Sequence, residues 1–142
     1  MSYVTAITDI RTAMKAARLA WAGGYMLDVK YDSLSSVDVS LQTNPFVCCE
    51  IIFLDGQQMA LGGDPPVVQY GQIHLAACVK VGQAEATLKA ARLLDYFTPV
   101  LELKNWTLVR TRSAAAHKSY DEKGWECWPI LVPFWYQRLA VT

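Results

Sequence analysis

The chain has 142 residues, the size of one domain. Thirteen Lys and Arg balance thirteen Asp and Glu, so the formal charge is zero, which argues against a nucleic-acid binder held mainly by phosphate contacts. The residues are 53% hydrophobic and only 18% charged, an apolar composition that points to an oligomer or a subunit of an assembly.

No apolar run is long enough to span a bilayer, and the N-terminal residues lack the basic-then-apolar order of a signal peptide. We therefore expect the four cysteines, Cys48, Cys49, Cys78 and Cys127, to be reduced thiols. In chain order, residues 4–21 predict a helix, with Val4, Ile7, Ile10, Met14, Ala17 and Trp21 on one stripe and Gly23-Gly24 ending it. The polar stretch 28–44 reads as the least ordered part, with weak strands at 27–31 and 37–41. Residues 46–54 predict a strand, and Asp55-Gly56 after it predicts a two-residue hairpin turn into a second apolar run. Residues 72–81 predict another strand, with Ile73, Leu75, Ala77, Val79 and Val81 on one face.

A second helix is predicted over 83–97, with Ala84, Leu88, Ala91, Leu94 and Phe97 on its apolar side and Pro99 closing it. A strand over 106–112 and a polar loop over 113–124 lead to a last strand over 125–136. With no repeat and no linker, residues 1–142 form one domain. The expected class is α+β: a mainly antiparallel sheet with a long hairpin and two helices on one face.

The last strand is apolar on both sides. Trp128, Ile130, Val132, Phe134 and Tyr136 share one face; Trp125, Cys127, Pro129, Leu131, Pro133 and Trp135 share the other. Pro129 and Pro133 are four apart, so both lack an N–H on the same side, which predicts an edge strand. The helices cover one face. The other is covered either by the 28–44 stretch or by a neighbouring subunit, and the neighbour is the favoured reading, with Trp125, Leu131 and Trp135 as contacts.

The usual signs of catalysis are missing. Cys48 and Cys49 are adjacent in a strand and point to opposite faces. His74 and Cys78 are about 13 Å apart along theirs. There is no phosphate-binding loop and no zinc spacing, so no catalytic, metal or cofactor residue is assigned. Arg110, Arg112, Lys118 and Lys123 make a locally basic segment that reads as either a partner-docking loop or a solvated tip.

Taken together, the N-terminal amphipathic helix, the strand–DG–strand run at 46–61, YGQIHLAACVKVGQAEATLKAARLLDYF at 70–97 and the closing GWECWPILVPFWYQ at 124–137 resemble the lambda-type tail terminator family of long-tailed phages. The resemblance covers the first helix and most of the chain from 46 onward, and residues 25–44 match less well. It implies a non-enzymatic, ring-forming virion protein, a hexamer that caps the tail tube, stops its growth and offers a joining surface to the head-side connector or neck protein. The implied partners are its own copies, the tail tube protein and the neck. DNA would pass through the ring without specific binding, no membrane or cofactor would be involved, and the protein would sit at the head-proximal end of the tail after assembly in host cytoplasm. Two alternatives stay open: another neck or tail-completion protein of the same virion, and a small cytoplasmic enzyme or ligand-binding domain.

Overall fold

Ser2 opens the first helix. Its hydroxyl accepts from the Thr5 backbone N–H at 3.1 Å, satisfying one of the orphan donors of helix α1 (Tyr3–Leu19). The computed structural model describes residues 2–58, 66–102, 109–112 and 114–139. Seven strands follow in one mixed sheet: β1 (Asp28–Lys30), β2 (Phe46–Gln58), β3 (Pro66–Lys80), β4 (Arg110–Thr111), β5 (Ala115–Ala116), β6 (Tyr120–Glu122) and β7 (Trp125–Leu139). Helix α2 (Ala86–Glu102) joins β3 to β4. The sheet order is β1-β2-β3-β7-β4, with β5 and β6 also on the far side of β7. Among the described residues only β1 and β2 run parallel, so the fold is α+β with a mainly antiparallel sheet.

Both helices lie on one face of this sheet. Ile10, Met14 and Ala17 of α1 and Ala90, Leu93, Phe97 and Leu101 of α2 pack with Val47, Ile73, Leu75, Val79, Ile130, Val132 and Phe134. The Tyr96 hydroxyl on α2 donates to the Ala17 carbonyl at 2.6 Å, meeting an otherwise unpaired acceptor at the end of α1. Two details of the helices differ from the sequence reading. On α1, Val4 is 73% exposed and Ala6 takes the buried position instead. On α2, the buried stripe is 90, 93, 97 and 101, so Leu88 and Ala91 face outward. Pro99 lies inside α2 and does not close it. A proline removes one helical hydrogen bond, but burial of Leu101 and a 3.1 Å bond from the Ala114 N–H to the Glu102 carboxylate hold the final turn.

β7 is not an edge strand. β3 pairs along its whole length on one side, from Pro66–Leu139 to Lys80–Trp125. The proline argument holds in a different form, because the strand on the other side is broken at each proline. β4 faces Trp135 and Phe134, β5 faces Leu131 and Ile130, and β6 faces Cys127 to Trp125. Pro133 and Pro129 fall in the two gaps. Lacking N–H groups, they offer only carbonyls, which accept from the Arg112 N–H at 3.0 Å and the His117 N–H at 3.1 Å.

The Asp55-Gly56 turn is also corrected. Strand β2 runs through this dipeptide to Gln58, and the register shifts there: Phe53 pairs with Gly71 and Gly56 with Gln69. Three steps on β2 match two on β3, so β2 carries one extra residue, a β-bulge. Gln69, buried inside the sheet, donates its side-chain amide to the Leu54 carbonyl at the bulge and accepts from the Tyr3 hydroxyl at 3.0 Å. The link between β2 and β3 lies outside the described residues, as do 106–108 of the strand expected over 106–112.

The tight turn is at Lys123-Gly124. Both have positive φ, 53° and 82°, between the paired Glu122 and Trp125, the signature of a two-residue hairpin. Gly124→Val should therefore lower stability by about 1 kcal/mol or more, read as a fall in melting temperature. On the helix face, Phe134 sits opposite Gly71, and a Cβ on Gly71 would run into its ring. Phe134→Ala should cost about 3–5 kcal/mol in a denaturant titration. Gln69→Leu should cost about 1–3 kcal/mol, because it strands the Leu54 carbonyl.

Candidate interface on the outer sheet face

The face turned away from the helices divides into a covered half and an open half. The register sets its columns. Phe46, Cys48, Glu50 and Ile52 of β2 lie beside Cys78, Ala76, His74 and Gln72 of β3, and these lie beside Cys127, Pro129, Leu131 and Pro133 of β7. Tyr70 and Trp135 continue the last two columns.

The covered half is closed by the chain itself. Residues 31–44 fold over it: a short 3-10 turn (Leu34–Ser36) puts Leu34 onto Phe46, Cys48, Ala76, Cys78, Trp125 and Cys127, with Val37 and Val39 alongside. Two interactions fasten this cover. The Lys123 ammonium donates to the Ser35 carbonyl at 3.1 Å and the Val37 carbonyl at 3.0 Å. Within the cover, the Asp38 carboxylate accepts from the Ser40 backbone N–H at 2.9 Å, which holds its pKa below the usual carboxylate range.

This placement corrects one expected contact. Trp125 has the parity of Leu131 and Trp135, but it is only 3% exposed and packs edge-on against Phe46, with ring centroids 4.8 Å apart. It belongs to the chain's own second core. Leu131 and Trp135 lie on the open half and are half-buried, together with Ile52, Tyr70 and Pro133.

The basic quartet is divided in the same way. Lys123 is committed to the cover. The Arg112 guanidinium lies over the Trp135 ring, 5.4 Å from its centroid, so it borders the open half. Arg110 is in β4, paired with Trp135. Lys118 is exposed. The 113–124 segment is therefore not a free loop, since it carries β5 and β6.

A pocket of about 160 Å³ lies where cover and open half meet, lined among others by Asp32, Cys48, Glu50, His74, Tyr120 and Pro129. Glu50 and His74 face each other across β2 and β3, and the His74 Nε2 is 2.9 Å from the Gln72 Oε1. Sequence reasoning did not single out this group; the signal was two polar residues of like parity on neighbouring strands. Among the described residues no cluster of metal-ligating side chains forms, and no described helix is long and apolar enough to cross a membrane.

All four thiols are buried. Cys49 faces the helices, and burial pushes its thiol up to about 12. Cys78 and Cys127 sit opposite each other under the cover, with sulfurs 3.7 Å apart. Bonding to Cys127 holds the Cys78 thiol on its proton and raises its pKa. Cys127, accepting from Cys78 and then from Tyr120, is lowered.

No family model matches the chain, and no curated protein matches it. Thirty solved chains do match by shape. One, known by a sequence label alone, overlays 94% of this chain and 97% of its own with a TM-score of 0.58 at 14% identity. At that identity the likeness establishes a shared fold alone.

Two expectations check this geometry. Lys123→Met should speed amide hydrogen exchange in residues 31–44 while leaving β3 and β7 protected. Cys49 should stay unalkylated in the native protein at pH 8, where its raised pKa leaves almost no thiolate, and react at once in denaturant.

Proposed function

We propose that this protein is a structural ring subunit that caps the tail tube of a long-tailed phage, ends tube growth and presents a joining surface to the neck. The observation that carries this reading is the half-open outer face. Ile52, Tyr70, Leu131, Pro133 and Trp135, set around Gln72 and His74, make a half-buried, largely apolar surface that the chain's own cover stops short of. A neighbouring copy seated there completes the second cover. The resemblance of 46–61, 70–97 and 124–137 to tail terminators supplies the biological setting, and the α+β architecture agrees with it.

The assembly logic is simple. Tube rings add head to tail, a heterologous contact that does not close. A terminator matches the last ring on one side and rejects the next on the other. Net charge zero suits a ring through which DNA slides without being held.

Native mass spectrometry is the direct test. A hexamer of the 15.8 kDa chain is expected, and a monomer at assembly concentrations overturns the ring. Trp135→Ala and Leu131→Asp should shift the mass toward the monomer with the fold intact, since a tryptophan anchor often contributes about 2 kcal/mol or more. Trp125→Ala should instead cost about 3–5 kcal/mol of fold stability. Added to growing tail tubes, the protein should shorten them; unchanged tube length with a stable ring would favour a neck protein.

A further inference from the structure

The buried pair under the cover has a chemistry that the ring reading does not use. Cys78 and Cys127 are direct partners on β3 and β7, and their sulfurs are 3.7 Å apart. The prolines fix what kind of pair this is. The Pro133 and Pro129 carbonyls point away from β3, toward Arg112 and His117. Their β3 partners, Gln72 and Ala76, are therefore in non-hydrogen-bonded pairs. The β3–β7 register is unbroken, and Cys127 is two residues from Pro129, so Cys78 and Cys127 form a non-hydrogen-bonded pair too. Such pairs bring Cα atoms to about 4.5 Å and side chains closest together. That lies within the Cα range of about 4.4–6.8 Å that a disulfide spans, and rotation of the two side chains closes the sulfurs to bonding distance.

We propose that Cys78 and Cys127 are an oxidation site, converted by hydrogen peroxide into a cross-strand disulfide beneath the cover. Both thiols are fully buried and neither lines the nearby pocket, whose wall stops at Cys48, Ala76, Tyr120 and Pro129, so the oxidant reaches the pair when the cover opens locally. Cys127 is the attacking thiol. It accepts the Cys78 S–H and is the more acidic of the two. Its sulfur attacks one peroxide oxygen. An S–O bond forms, the O–O bond breaks, and the departing hydroxide takes up the thiol proton as water. Cys78 then attacks the Cys127 sulfur. The S–S bond forms, the S–O bond breaks, and the second hydroxide leaves as water with the Cys78 proton. Two thiols are oxidised by two electrons, and one peroxide is reduced to two waters. The bridge would tie the two central strands together beneath the cover, with no dependence on the ring.

The folded protein is treated with hydrogen peroxide, denatured with an alkylating agent present, and read by intact mass and peptide mapping. The expected result is loss of two hydrogens, two alkylated thiols in place of four, and a Cys78–Cys127 crosslink that dithiothreitol reverses. Cys48→Ser and Cys49→Ser should give the same crosslink, and Cys127→Ser should not. Four alkylatable thiols after treatment, added oxygen without loss of hydrogens, or a crosslink between other cysteines overturns the proposal. The wild-type map decides the matter even where a variant fails to fold. Native mass on the same sample tests the ring separately.

Discussion

The central strands of this protein are apolar on both sides, and a sheet of that kind has to be covered twice. β2, β3 and β7 present Val47, Ile73, Leu75, Ile130, Val132 and Phe134 to one side and Phe46, Cys48, Ala76, Cys78, Trp125 and Cys127 to the other. Two helices suffice for the first face. On the second, a stretch of about a dozen residues with three apolar anchors, Leu34, Val37 and Val39, closes only one end. Among the described residues, the cover stops short of the apolar surface at Ile52, Tyr70, Leu131 and Trp135. That surface, rather than any polar constellation, is what directs attention to a partner.

A second constraint acts within the sheet plane. Two prolines of one parity deny hydrogen bonds to whatever lies beside β7, and the neighbouring chain responds by pairing in three short pieces between them. Each gap still uses the proline carbonyl, through Arg112 and His117, so little backbone polarity is wasted. The same parity leaves the β3 side of β7 intact, and the register there runs without a shift. The strongest pairing in the molecule and its most broken one share a strand.

Much of this was legible in the sequence, and the failures have identifiable causes. The alternation in 46–54, 72–81 and 125–136 gave both the strands and their faces, because period two survives any neighbour. The prolines read as an unpaired edge, whereas the strand beside them is interrupted rather than absent, a distinction one strand alone does not carry. β5 and β6 have two and three residues, too few to show a period. Asp55-Gly56 was read as a turn because local chemistry fits one, whereas the long pairing of β2 with β3 absorbs it as a bulge. Parity places Leu131 and Trp135 on the outer face, where they lie beyond the reach of the cover. Trp125 has the same parity, but its cover comes from 31–44, whose Ser, Asp and Asn content reads as an open loop.

The sheet's centre is also its most non-local part. Cys78 and Cys127, partners in the two middle strands, are 49 residues apart in the chain. A ribosome adding about 5–20 residues each second leaves β3 without β7 for several seconds. In that interval β3 has one long hydrogen-bonding edge and apolar residues on both faces, the kind of surface on which nascent chains stick to one another. Helix α2 lies between the two strands in sequence and packs on β3, so it reaches one face before β7 arrives. The fold thus carries its own temporary shield for half of the problem. The other half stays open until residues 81–124 have been made and β7 can pair.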